Sequence, residues 1–211
     1  MQAEIPPNDI RIHNPPGEED LTGLIATSSA RALGIIGQAW GLSAPADCGI
    51  YVMNSWWRFF LDAAPWYVNM FYLRLFPFWV GRFEHLWTLA GAWTQRFGRR
   101  VAIGIKPPRL LASADGSVGR LIFVEEPDLH FKFQQLGIHE LTHACTLRLG
   151  LPAWLNEGLA MQSVDRFSER RTVREDTREL VRSRAPRMSP PGYRQLARQD
   201  AQGNSGIHRA H

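Results

Sequence analysis

The sequence predicts an α+β fold: a small twisted β-sheet beside one long helix, with helices packed on one face. Three observations carry this expectation. Apolar residues recur at helix spacing early in the chain and again after residue 128. Two short apolar runs, "CGIYVM" (Cys48 to Met53) and "RRVAIGI" (Arg99 to Ile105), read as strands. Glycine and proline punctuate the junctions where those patterns change.

Residues 1–19 are polar, acidic and proline-rich, and a disordered lead-in is expected there. Residues 20–98 form a helical, aromatic-rich part. Its first helix shows in Leu21, Leu24, Ile25, Ala32, Ile35, Ile36 and Ala39. Ser55 is placed as the N-cap of the next helix, "WWRFFLDAA", which Pro65 ends or kinks. Residues 56–93 hold six of the eight tryptophans. The most apolar stretch, Trp66 to Gly81, is shorter than a membrane span and is interrupted by Arg74 and Pro77. It reads as aromatic core or the wall of a cleft. The alternative is a membrane-surface or partner-docking element.

Residues 99–165 form the next part. After the Arg99–Ile105 strand and "KPP", the runs Arg109 to Ser113 and Val118 to Glu126 flank "ADGS", whose Asp115-Gly116 pair signals a hairpin. A helix is expected from about Asp128 or Phe131 to Leu149, with Gly150 at its C′ position. Pro152 opens a following helix that carries Trp154, Leu155, Leu159 and Met161. Residues 166–211 read as a basic helical tail with a frayed end.

Composition limits the function classes. A chain of 211 residues with 45% apolar content can bury a substantial core, as one domain or a domain with an appended segment. Two cysteines, Cys48 and Cys145, are too few for a disulfide framework. The N-terminus lacks a basic start followed by an apolar stretch. Both features lead to a cytoplasmic expectation. The net charge is +4, and 22 of the 24 basic residues are arginine, half of them from Arg166 onward. Acids alternate with these arginines in "SERRTVREDTREL", and Arg171 with Glu175 has i,i+4 spacing. That pattern favours an exposed helix over a nucleic-acid arm, and no nucleic-acid partner is expected.

The chemistry concentrates in "GIHELTHACTLRLGLPAWLNEGLA", Gly137 to Ala160. On a helix His139 and His143 lie about 40° apart around the axis and about 6 Å along it, so one zinc ion can take both. Glu140 is rotated by about 100° from His139 and can reach a metal-activated water without being a ligand. The five-residue motif alone is weak. A strong helix after a hairpin adds weight, because Leu136, Ile138, Leu141, Ala144 and Leu147 would bury much of its surface and leave the histidines needing partners. Glu157 adds more. If the helix after Pro152 folds back, Glu157 returns to about the level of His143 and completes a His₂Glu set with one open position, the arrangement of a catalytic zinc.

"HELTH" followed by "PAWLNEGLA" resembles the gluzincin branch of zinc metallopeptidases, and within it small peptidase-MA-like domains. The resemblance covers about Arg99 to Val164 and none of the aromatic N-terminal half. It implies a zincin-like active-site helix, with the third ligand supplied by Glu157 of the N-E-G-x-A-like segment on the next helix. The metzincin pattern does not fit, since it needs a glycine and a histidine where this chain has Thr146 and Leu149. The spacer between His143 and Glu157 is short for the branch. The segment after Glu157 is too short for a complete helical lobe, so a cleft open on one side is expected. Family members often use a tyrosine beyond the third ligand to stabilise the oxyanion, and Tyr193 is the tyrosine on that side.

The expected function is zinc-dependent hydrolysis of peptide bonds, with one Zn²⁺ per chain, Glu140 as general base and a peptide or protein substrate. Gly119 to Glu126, if a sheet edge, would pair with an extended substrate. One rival is a non-enzymatic interaction or membrane-surface protein acting through residues 56–93, with a structural or vestigial zinc site. A second is a regulatory protease with one dedicated protein partner. Other candidates carry less: Cys145 reads as a core thiol, Asp165 as a helix-end charge ahead of a ligand, and Asn156 as a hydrogen-bonding support. His13, His85, His130, His208 and His211 lack partner spacing.

Overall fold

The computed structural model describes residues 10–70, 90–111 and 123–184, with single positions 74, 81, 84, 87 and 88 between. The chain is α+β. Its named elements are β1 (Arg11–His13), α1 (Leu21–Trp40), β2 (Cys48–Val52), α2 (Trp56–Ala63), β3 (Ala92–Phe97), β4 (Arg100–Ile105), α3 (Pro108–Leu111), α4 (Leu129–Thr146), α5 (Ala153–Ser168) and α6 (Glu175–Arg184). The strands form one mixed sheet in the order β1-β2-β4-β3. β1, β2 and β4 run parallel, and β3 returns antiparallel to β4.

β2 is buried along its whole length and β4 nearly so, as central strands covered on both faces must be. Alternation along them separates two cores. Ile50, Val52, Val101, Ile103 and Ile105 face α1 and α4. Tyr51, Met53 and Ala102 pack with Phe59, Phe60 and Ala63 of α2 on the opposite face, where Trp93 and Phe97 of β3 join them. Helices therefore cover both faces, not one. Gly104 makes the second layer fit: a Cβ there would lie 2.3 Å from Met53 Sδ.

The helices form where their caps and stripes place them. α1 buries Leu21, Ile25, Ser29, Ala32 and Ile36, a narrow stripe at three- and four-residue spacing, and stops at Gly41 in a left-handed conformation. Ser55 caps α2 by accepting from Arg58 N at 3.2 Å. Asp128 caps α4, its Oδ1 accepting from His130 N and Phe131 N. α4 packs against α1, α5, β3 and β4 and is the central helix of the molecule.

Several expectations need correction. Residues 11–13, placed in the disordered lead-in, form β1. Arg11 is paired with Asp47, Ile12 packs on the core, and the His13 ring stacks on Tyr51 at 4.3 Å. A three-residue strand is too short for periodicity to register. Ala92–Phe97, placed in the helical part, is β3; a two-residue turn with Gly98 at φ 64 joins it to β4. The run from Arg109 was expected as a strand, but Pro108 opens the single helical turn α3. The Asp115-Gly116 hairpin lies outside the described residues. Of the expected strand to Glu126, Phe123 makes only an isolated bridge with Val173. Glu175 bonds Arg178 and Arg182 within α6, whereas Arg171 precedes that helix. Residues 185–211 lie outside the description.

Candidate metal centre

α4 ends at Thr146, three residues before the expected Leu149, with Leu147 as its C-cap, so Gly150 is not its C′ residue. The chain instead reverses through Gly150, whose φ of 58 suits glycine, and Pro152 stands at the N-cap position of α5. The two helices run antiparallel. Gln135 Nε2 donates to Ser168 Oγ at 3.0 Å at one end of the pair, and Thr146 Oγ1 donates to Asn156 Oδ1 at 2.5 Å at the other. Asn156 thus holds the two helices together beside the site, as the sequence suggested.

This register brings three donor groups to one point. His139 Nε2 and His143 Nε2 are 3.0 Å apart, with their rings edge to face. Glu157 Oε2 is 3.3 Å from His139 Nε2, and its Oε1 is 3.3 Å from His143 Nε2. The His139 and His143 side chains are mostly covered, while Glu157 is 58% exposed, so the cluster opens to solvent on the α5 side. Tetrahedral zinc with bonds of about 2.0–2.1 Å separates its ligand atoms by about 3.3–3.4 Å. The spacings found here fit such an ion with only small adjustment. Two imidazoles and a carboxylate also suit other first-row divalent metals.

Charge reinforces the cluster. Hydrogen bonds from His139 and His143 hold the Glu157 carboxyl far below the ordinary carboxylate range. Burial opposes protonation of His143, but the hydrogen bond to Glu157 and the charges of Glu140 and Glu157 outweigh it and raise its pKa. Glu140 sits beside the histidines on the covered side of α4, 7% exposed. Burial pushes its carboxyl up, while the charge of His139 and a hydrogen bond from Thr94 pull it back. The Thr94 hydroxyl lies 2.7 Å from Glu140 Oε2 and 2.9 Å from the Glu140 main-chain oxygen. Nothing in the sequence near Thr94 announces this contact, which joins residues 46 apart in the chain.

The remaining candidates separate from the site. Asp165 Oδ1 accepts from Thr172 N at 2.8 Å and Thr172 Oγ1 at 2.6 Å, closing the turn after α5. It is a helix-end group and does not join the donor cluster. Cys145 is buried in the core, and burial pushes its thiol up to about 12. His13 stacks on Tyr51, and His130 lies in the first turn of α4. Tyr193, His85, His208 and His211 lie outside the described residues.

Comparison of the chain with protein-family models, with curated proteins and with solved structures found no match.

Proposed function

We propose that the protein is a zinc-dependent metallopeptidase of the gluzincin type. One observation carries this reading: His139, His143 and Glu157 converge from two helices while Glu140 lies beside them, buried and outside the donor set. A bound Zn²⁺ would act as a Lewis acid on the scissile carbonyl and on water. The residues of the chain do the rest. His139, His143 and Glu157 hold the ion, one per chain. Glu140 accepts a proton from the attacking water and passes it to the leaving nitrogen, and its burial favours a carboxylate that takes protons readily.

The substrate is a peptide or protein segment in extended form. β3 has a single strand neighbour among the described residues, and Thr94 in its middle touches Glu140. Its open edge can take a peptide main chain by strand addition and carry it past the general base. Half of the Gly119 to Glu126 segment expected in that role, residues 119–122, lies outside the described residues. A cytoplasmic setting agrees with Cys48 and Cys145, both free thiols.

The direct test is Glu140→Gln. Glutamine fills the same space but cannot take the proton. Elemental analysis should find about one equivalent of zinc in both proteins, and only the wild type should cleave peptides. Loss of zinc in the variant would make Glu140 a ligand. Retained cleavage would remove it as the base.

A second reading, a membrane-surface or interaction protein, has its own support. Trp66 is 77% exposed, and Tyr67, Met70 and Leu61 are also open. Among the described residues no helix is long and apolar enough to cross a membrane. This reading expects Glu140→Gln to leave function intact.

A further inference from the structure

The Glu140 carboxylate has two oxygens, and a hydrogen bond held at one of them fixes the plane of the group and leaves the other to receive a proton. Thr94 bears on which oxygen is held. It stands in β3 opposite Ile103 of β4, a pairing that fixes its backbone within the sheet. Its side chain is β-branched and stiff at χ1, so the hydroxyl is delivered from a rigid mount. That hydroxyl reaches Oε2 at 2.7 Å and the main-chain oxygen of the same residue at 2.9 Å. With one proton it donates to one of them at a time, and both contacts tie it to Glu140. We propose that Thr94 is a positioning residue for the general base: it holds Oε2 and so leaves Oε1 as the oxygen that receives the proton.

The proposal rests on the hydrolytic reading of the site, but the placement of the carboxylate is a structural claim with its own readout. A side chain without the hydroxyl, such as valine, keeps the shape and the strand preference of Thr94 but leaves Oε2 buried and unbonded. The carboxylate then turns to find another partner. Serine restores the donor.

The experiment compares wild type, Thr94→Val and Thr94→Ser, each loaded with zinc. Crystal structures report the carboxylate, elemental analysis the metal, and steady-state kinetics the turnover of one peptide that the wild type selects from a random peptide library. We expect about one zinc in all three proteins. In Thr94→Val the Glu140 carboxylate should be rotated from its wild-type orientation. Its kcat should fall by about 10- to 100-fold, with KM changed by no more than about twofold. Thr94→Ser should keep the orientation and recover most of kcat. An unmoved carboxylate in the Thr94→Val crystal overturns the proposal, and so does an undiminished kcat. A wild type that cleaves no peptide while zinc-loaded overturns the hydrolytic reading instead, and the Thr94→Val crystal still decides whether the hydroxyl places the carboxylate.

Discussion

Glu157 and Asp165 stand on the same helix, two turns apart, and their surroundings assign them opposite work. Glu157 reaches two imidazole nitrogens at 3.3 Å, and its carboxyl stays ionised well below the ordinary range because both histidines bond it. Asp165 spends its Oδ1 on the main-chain and hydroxyl groups of Thr172. At 1.5 Å per residue it is about 12 Å further along α5, too far to share an ion with His143. Glu157→Ala should therefore weaken zinc binding by orders of magnitude, since two histidines alone hold the metal poorly. Asp165→Ala should change zinc affinity by less than about 10-fold, and its cost should appear as about 1–2 kcal/mol of folding stability from the lost turn. Competition with a chelator measures the first effect and urea denaturation the second. If Asp165→Ala strips the metal while Glu157→Ala keeps it, the donor set drawn from α4 and α5 is wrong.

At the scale of elements, the α4–α5 pair was readable because each of its parts has a local cause. Asp128 starts α4 through two main-chain hydrogen bonds, Gly150 turns the chain at positive φ, and Pro152, with its fixed φ, stands at the N-cap position of α5. With those marks in place, helix rise alone returned Glu157 to the level of the histidines. β2, β4 and the Ser55 cap were readable for the same reason. β1 and β3 were not. β1 is three residues long, and its stability comes from pairing with β2 and from Arg11 with Asp47, partners distant in sequence. β3 hides behind the tryptophans that precede it, and its identity depends on β4 across the Gly98 turn. The Thr94–Glu140 contact was lost with β3, because only the sheet brings those residues together. The Asp128 cap gives a test at this scale. Asp128→Ala removes the side-chain acceptor for His130 N and Phe131 N and should cost about 1 kcal/mol of stability. The site begins about three turns beyond that cap, on a stretch of α4 packed against the sheet, α1 and α5, so zinc affinity should stay within about threefold of wild type. A large loss of affinity would mean that the start of α4 and the site are coupled, contrary to this division.

For the whole molecule, the site exists only when the fold does. His139 and His143 come from a helix whose other faces pack on β3, β4, α1 and α5, and Glu157 comes from the helix that closes over it. The unfolded chain can hold His139 and His143 near one another but has no means of returning Glu157 to them. An ion that needs all three ligands binds the native state far better than the unfolded one, so it must stabilise the fold. At free zinc about 100 times its dissociation constant the gain is about 2.7 kcal/mol. For a chain of this size that corresponds to a rise in Tm of about 5–11 °C. The wild type should show such a rise on adding zinc to the metal-free protein. Glu140→Gln should show it equally, because that residue lies outside the donor set, whereas Glu157→Ala should show little or none. Differential scanning calorimetry of the three proteins, each with and without zinc, makes the comparison. An equal rise in Glu157→Ala would place the ion elsewhere on the chain, and no rise in the wild type would remove the metal from the account altogether.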